Sequence, residues 1–149
     1  MKLALILWLA HALPQPVADP MCLATTVYLE ARGQPEIGQR AIAEVVLRRR
    51  ESGRWGDSVC AVATAPGQFA MATLSPNQRL IEPAAGLTAA RIALTMTWNW
   101  SRPRDQRHLI VPGAISFAPD TVADHAASGR VVRRIGDHVF YRPATLAMR

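Results

Sequence analysis

Aromatic residues are scarce in this sequence. Only 6% of the 149 residues are Phe, Trp or Tyr, although 50% are hydrophobic and alanine is abundant. Small apolar side chains in this proportion favour closely packed helices. The sequence has no internal repeat and no low-complexity tract, which excludes a solenoid of stacked repeats. A chain of this length is expected to form one domain with a core of its own.

Cysteine is rare, and the sequence lacks the spacings of a metal site. There is no Cys-x-x-Cys pair and no pair of histidines on one helix face, so we expect no metal and no cofactor. The only cysteines are Cys22 and Cys60. In an exported protein two cysteines favour a disulfide bond, and the alternative is two buried free thiols.

The charge is strongly unbalanced towards the basic side. A net charge of +6 and a pI near 10.6 predict an anionic partner surface. Nucleic acid, acidic lipid and an anionic cell-wall polymer all fit this charge. The sequence carries no nucleic-acid-binding motif and no interleaving of basic with aromatic residues, so nucleic acid is not expected as a partner.

The apolar run at the N-terminus, residues 3–10, is too short to span a bilayer. Lys2 provides a positive start, and small residues follow at positions 10–12, as in a cleavable secretory signal. We therefore predict a signal peptide or N-terminal anchor at 1–18, one domain at 19–149, and a periplasmic or secreted protein. The alternatives are an uncleaved anchor that gives transient membrane association through the N-terminus, and a buried N-terminal strand.

Our functional prediction rests on Glu30. Residues 22–33 carry apolar side chains at helical spacing, which predicts a mostly buried helix that ends at Gly33 in a left-handed cap. Glu30 falls in the last turn, where the helix dipole and an apolar setting both disfavour the ionised carboxyl. A glutamate that keeps its proton near neutral pH can serve as a general acid. The alternative is a solvent-facing Glu paired with a nearby Arg.

A second helix is predicted from Pro35 to about Ser52. Glu44 lies four residues from both Arg40 and Arg48, so we interpret it as an ion-pair residue and not as a second catalytic acid. The arginine run at 48–50 is interpreted as a solvated helix end, since cations suit the C-terminal end of the dipole. The alternative for this run is a contact with an anionic polymer.

The middle of the chain predicts further helices. A short helix at 59–63 is capped by Asp57 or Ser58, and a helical region starts at Ser75 and is interrupted by Gly86. A central helix follows at 87–100, with Trp98 assigned to the core and Trp100 left open.

The last third changes to β-structure. Residues 113–119 read as a short strand and turn. Residues 131–135 and 138–141 predict a hairpin around the two-residue turn Gly136-Asp137. The predicted fold class is therefore α+β and mainly α, with a small β element at the C-terminal end.

Motifs stand in three separated parts of the sequence. They are Tyr-Leu-Glu-Ala-Arg-Gly-Gln from Tyr28; the helix 41–49 with Ser-Val-Cys-Ala-Val from Ser58 and Pro-Gly-Gln-Phe from Pro66; and Gly-Ala-Ile-Ser-Phe from Gly113 with Ile-Gly-Asp-His-Val-Phe-Tyr from Ile135. In residue type, order and spacing these motifs together resemble the SleB/CwlJ-type cell wall hydrolases. The resemblance covers roughly residues 21–141, and Cys22 and Cys60 occupy the positions of a cysteine pair common in the Gram-negative branch.

The resemblance implies a lysozyme-like helical domain with a small β part beside the cleft. It also implies peptidoglycan glycan strands as substrate, cleaved between N-acetylmuramic acid and N-acetylglucosamine by a lytic transglycosylase. The family's essential acid maps onto Glu30, which would serve as both acid and base. The candidate substrate contacts are Gln68, Phe69, Ser116 and Tyr141. An equal alternative for Phe69 is a plug in the core.

The sequence departs from the family pattern at three positions. Ser116 stands where the family usually has a histidine, Arg48 where an asparagine is frequent, and Ala70 where a serine follows the Gln-Phe pair. The Glu30 helix is intact, so we still expect activity. The altered strand and the basic charge leave two alternatives, a non-catalytic wall-binding module and a structural component of a phage-like particle.

Overall fold

The computed structural model describes residues 1–121 and 129–144, and within these ranges five α-helices precede a three-stranded sheet. Two short 3-10 turns, Ala70–Thr73 and Arg104–Gln106, lie between them. The helices are α1 (Leu3–Ala12), α2 (Gln15–Ala31), α3 (Glu36–Ser52), α4 (Val59–Thr64) and α5 (Pro83–Ser101), and the strands are β1 (Ser116–Pro119), β2 (Arg130–Ile135) and β3 (His138–Arg142).

Helix α2 lies at the centre of the helical body and contacts the other four helices. It begins seven residues before the predicted start, at Gln15, with Pro16 in the first turn, where a missing N–H costs nothing. The predicted left-handed cap at Gly33 is wrong, because Gly33 does not have a positive φ. Such a cap ends α3 instead, at Gly53 with φ of 73°.

Helices α2 and α4 are joined twice. The predicted disulfide Cys22–Cys60 is present and links them covalently. One turn earlier on α2, the buried Asp19 accepts hydrogen bonds through Oδ1 from the N–H groups of Val59 (3.0 Å) and Cys60 (3.4 Å). These donors have no partner within α4 itself, so Asp19 caps that helix from outside. Ser58 adds the predicted local cap by accepting from Ala61 N–H at 3.0 Å.

The predicted ion pair of Glu44 is confirmed with Arg48, but the structure buries the glutamate completely. Glu44 also accepts the N–H groups of Ile110 (2.7 Å) and Val111 (2.8 Å). Arg48 donates in turn to the carbonyl oxygens of Val111 (3.1 Å) and Ala114 (2.7 Å). The pair therefore fastens the segment before β1 onto α3. Arg40 contacts Glu36 at 3.7 Å instead.

Helix α5 corrects two predictions. No helix forms at 75–82, and the helix starts at Pro83 and passes through Gly86 without interruption. The assignment of Trp98 to the core is also wrong, since it is 65% exposed, and Trp100, which the sequence left undecided, is buried at 4% exposed. The core-facing side of α5 runs through Ala89, Ile92, Ala93 and Met96, and Trp100 continues this row at the next helical step.

The sheet has the strand order β1-β3-β2, with both pairs antiparallel. The predicted hairpin between β2 and β3 is confirmed, and Gly136 adopts φ of 56° in its turn. Gln34, between α2 and α3, accepts Asp137 N–H at 2.9 Å and donates to Asp137 Oδ2 at 3.0 Å. A Cβ at residue 136 would collide with Gln34. The turn is therefore held against the end of α2.

The N-terminal segment forms helix α1, so the alternative of a buried N-terminal strand is wrong. Leu3 and Ala10 are buried in the main core, and Leu3 N–H donates to Gln78 O at 2.9 Å. Among the described residues no helix combines the length and apolar character needed to cross a bilayer. The signal peptide at 1–18 stays a prediction.

Candidate active site

Glu30 lies in the last turn of α2 with its side chain partly exposed. Its Oε1 accepts a 2.7 Å hydrogen bond from the backbone N–H of Ala70, the first residue of the 3-10 turn. A bond of this length to a carboxylate is strong and fixes the side chain in one position. Oε2 does not take part in this bond, and it is the oxygen that could exchange a proton with a bound molecule.

A cluster of rings adjoins the residue that holds this carboxyl group. Phe69 immediately precedes Ala70, and its ring centroid lies 6.0 Å from that of Phe117 on β1. The Phe117 ring contacts His138 edge-on at 5.3 Å and Phe140 at 5.9 Å. These residues bring the 65–73 connection, β1 and β3 together beside the end of α2. Phe69 is buried and joins the core, as the alternative for this residue predicted.

The structure adds His138 as a candidate site residue. The sequence analysis named it only as part of the Ile-Gly-Asp-His-Val-Phe-Tyr motif. Burial lowers the pKa of its imidazole below the usual 6.5, although the charges of Glu30, Asp137 and Asp120 act to raise it. The influence of Glu30 places the ring within electrostatic reach of that carboxyl. Nδ1 is buried and has no hydrogen-bond partner among the described residues. The imidazole is therefore neutral near pH 7.

Arg49 organises the connection that carries Phe69. Its guanidinium donates to Ile115 O (2.6 Å) and Gln68 Oε1 (3.0 Å), and it lies over the Phe69 ring at 4.9 Å from the centroid. Burial lowers its pKa to about 10, so it remains charged at neutral pH. The prediction of a solvated arginine run is therefore wrong for this residue. Gln68 is exposed and is held by this contact.

The structure does not place two of the predicted substrate contacts, Ser116 and Tyr141, on the side of the sheet that meets the ring cluster. In the β1–β3 register Ser116 pairs with Tyr141, whereas Phe117 pairs with Phe140. Directly paired residues point to the same face of a sheet and neighbours to opposite faces. Ser116 and Tyr141 therefore lie on the face opposite to the Phe117 and His138 rings. Tyr141 is also fully buried, so we withdraw both residues as contacts near the carboxyl.

The site contains no preformed metal centre within residues 1–121 and 129–144, where no group of three or more His, Cys, Asp or Glu side chains is arranged to hold an ion. The described site offers a fixed carboxyl at Glu30, a neutral imidazole at His138 and the partly exposed ring of Phe117. A sugar ring can pack on such an aromatic surface, and a carboxyl beside it can transfer a proton.

Comparisons with a protein-family model and with curated proteins point to one protein family. A family model described as Cell Wall Hydrolase matches residues 33–141, starting just after Glu30. The spore cortex-lytic enzyme of Bacillus subtilis (strain 168) is 33% identical over 123 residues, which cover 82% of this chain and 37% of that enzyme. The spore cortex-lytic enzyme of Halalkalibacterium halodurans is 35% identical over 106 residues, covering 60% of this chain and 32% of that enzyme. The chain thus matches about a third of the length of these curated relatives.

Two solved structures have a similar fold. The catalytic domain of the germination-specific lytic transglycosylase SleB from Bacillus anthracis superposes with a TM-score of 0.61 at 24% identity, covering 83% of this chain and 93% of that chain. The catalytic domain of the Bacillus cereus SleB protein gives a TM-score of 0.62 at 25% identity, covering 83% and 89%. The predicted fold class, mainly helical with a small sheet, is confirmed. With the family model extending over most of its length, the chain belongs to the cell wall hydrolase family.

Proposed function

We propose that this chain cleaves peptidoglycan glycan strands between N-acetylmuramic acid and N-acetylglucosamine, as a lytic transglycosylase. The observation that carries the proposal is the Glu30 carboxyl, which is partly exposed and fixed through one oxygen by Ala70 N–H, next to the ring cluster that begins at Phe69. Membership of the cell wall hydrolase family supports the substrate class. Action on this polymer requires the protein to reach the periplasm or the cell exterior.

In the proposed reaction Glu30 acts twice. The protonated carboxyl donates its proton from Oε2 to the bridging oxygen, and the bond between that oxygen and C1 of the muramic residue breaks. The resulting carboxylate then takes the proton of the muramic 6-hydroxyl, whose oxygen bonds to C1. The products are a 1,6-anhydro end and a free 4-hydroxyl, and Glu30 ends protonated as it began. One carboxyl group can therefore serve as acid and then as base.

Fixing Oε1 supports this double role. The proton must leave from and return to the same side of the sugar, so the carboxyl must not rotate between the two steps. The Ala70 N–H bond provides that constraint at 2.7 Å. Gln68 is exposed and lies two residues before Ala70, and it is the remaining candidate for substrate contact among the residues predicted from the sequence.

The test is product analysis of purified peptidoglycan incubated with the purified chain. We expect 1,6-anhydro ends by mass spectrometry, and loss of cleavage in Glu30→Gln. Glu82→Gln removes a carboxylate from another exposed position and should retain activity. Cleavage by Glu30→Gln equal to that of the unmodified chain would refute the assignment.

The type of sugar end that is formed distinguishes transglycosylation from hydrolysis. A reducing muramic end would indicate hydrolysis, in which water attacks C1 in place of the 6-hydroxyl and the Glu30 carboxylate takes its proton. Binding to sacculi that survives in Glu30→Gln, together with no turnover by the unmodified chain, would instead support a non-catalytic wall-binding module.

A further inference from the structure

A second surface, unrelated to the Glu30 site, is a groove of about 650 Å³ between α1 and α5. Its floor is α2, through residues that include Met21 and Ala24. Its walls include Ile6 and Leu9 of α1 and Leu87 and Leu94 of α5. None of the described side chains that line it is charged, and the N-terminal ammonium group of Met1 is the charge at its edge. We call this surface the α1–α5 groove.

The apolar surface extends beyond the groove on both sides. On α5, Leu87 is 74% exposed and Leu94 is 62% exposed, and Trp98 follows on the same side of the helix. These positions form a stripe about 16 Å long, at 1.5 Å per residue. On α1, Leu5 and Trp8 are exposed. Helix α1 is thus apolar around most of its circumference, although only one side of it packs against the domain.

Basic groups stand at both ends of this apolar face. Lys2 and Arg79 form a backbone bridge at one end, beside the groove residues Leu3 and Leu80. At the other end the guanidinium of Arg102 lies over the Trp98 ring at 5.3 Å from the centroid. Among the described ion pairs none involves these three cations, whereas Glu82 at the groove edge is paired with Arg32 at 3.0 Å.

We propose that the α1–α5 groove and its flanking stripe dock on a lipid bilayer that contains anionic headgroups. An apolar face bounded by cations and carrying exposed tryptophans matches the layering of a membrane surface, with apolar chains inside and phosphates outside. A second copy of the chain is a poorer match. In a two-fold dimer through this face, each cationic end would meet another cationic end.

Docking through the α1–α5 groove would leave the Glu30 carboxyl accessible. Tyr28 lines the groove from α2, and Glu30 follows two residues later. Two residues correspond to a rotation of about 200° around a helix. Glu30 therefore faces away from the groove, and a docked molecule would present its candidate active site to a polymer on the side opposite to the bilayer.

Vesicle binding by the full chain tests this proposal without any measurement of wall cleavage, so its outcome is independent of the proposed function. The vesicles are phosphatidylcholine alone or mixed with phosphatidylglycerol. We expect co-sedimentation with the mixed vesicles and a blue shift of tryptophan emission that is reduced in Trp98→Phe. The double substitution Leu87→Glu and Leu94→Glu should weaken binding by about tenfold or more.

A matched control places the same two charges elsewhere. Ile37 and Leu109 are exposed apolar residues outside the groove, so Ile37→Glu with Leu109→Glu changes the net charge equally and should bind several-fold more tightly than the groove variant. Equal loss of binding in both variants would show simple charge attraction and overturn the proposal. A dimer that forms without lipid and is broken by the groove variant would assign the face to a second copy, which also overturns it.

Discussion

At the scale of single residues, the Glu30 carboxyl depends on one backbone donor. Ala70 N–H is the group that fixes Oε1, and Ala70 opens a 3-10 turn. The preceding residue Phe69 has φ of −136° and ψ of 160°, the extended conformation that a residue before proline prefers. Proline is also tolerated at the first position of a helical turn. The donor can therefore be removed without forcing a new backbone conformation.

We predict that Ala70→Pro lowers kcat by about ten- to hundredfold while the chain remains folded. The reason is that a hydrogen bond to a charged group contributes about 1.5–3 kcal/mol. Steady-state release of soluble glycan fragments, together with circular dichroism, measures both quantities. Ala70→Gly keeps the N–H and should lose much less activity. Comparable activity in the proline variant would mean that this bond does not position the Glu30 carboxyl for the proposed reaction.

His138 gives the stability of the protein a pH dependence. Burial holds the native pKa of its imidazole below the usual 6.5, so the unfolded chain takes up a proton at a higher pH than the folded one. The stabilising contribution is complete above 6.5 and is lost as the pH falls through the lowered native value. We expect the free energy of unfolding to decline on the acid side of 6.5, and to decline less in His138→Phe.

Urea unfolding at a series of pH values measures this difference. An identical decline in the unmodified chain and in His138→Phe would show that other groups cause it.

At the scale of elements, the helical body is tied together by a small number of long-range bonds. The disulfide and Asp19 both join α2 to α4, and Glu44 with Arg48 joins α3 to the segment before β1. Gln34 joins the β2–β3 turn to the end of α2. The first two bonds join helix to helix, and the other two hold a segment without regular structure against the helical body. Gln34 thereby holds the β2–β3 turn close to the end of α2, where Glu30 lies.

We predict that loss of the Cys22–Cys60 bond lowers the free energy of unfolding by about 4 kcal/mol. The cysteines are 38 residues apart, and closing a loop of that size restricts the unfolded chain by this amount in the chain-entropy model. Urea unfolding with and without a thiol reductant measures the effect. Cys22→Ala with Cys60→Ala should be insensitive to the reductant. A reductant effect of equal size in that variant would assign it to another cause.

At the scale of the whole molecule, the question is whether α1 packs on the rest of the domain in solution. Leu3 is buried in the main core, whereas Leu5, two residues later, is exposed. If α1 is part of the folded domain, Leu3→Ala should lower the free energy of unfolding by about 2–4 kcal/mol. Leu5→Ala should change it much less.

Denaturant unfolding of the full chain makes this comparison directly. Equal, small effects of the two substitutions would show that α1 is not packed on the body in solution, as expected of a leader segment. The same outcome would remove one wall of the α1–α5 groove.

Several elements could be predicted because their signals are local. The second helix, the short capped helix and the hairpin at Gly136-Asp137 depend on spacing, caps and turn residues that lie close together in the chain. The disulfide partners followed from having only two cysteines. The assignment of Trp98 to the core failed, and Trp100 was left undecided, because α5 carries apolar residues on most of its sides and its pattern does not reveal which side meets α2.

The sequence by itself determined the α+β class, the Glu30 helix, the cysteine pair and the family resemblance. Only the tertiary structure decided that Arg49 and Glu44 are buried, that Ser116 and Tyr141 lie on the far face of the sheet, and that Ala70 and His138 lie beside the candidate acid. The physical reason is that helix periodicity and turn chemistry act over a few residues. Burial and hydrogen bonding between distant segments depend on how all the elements pack together.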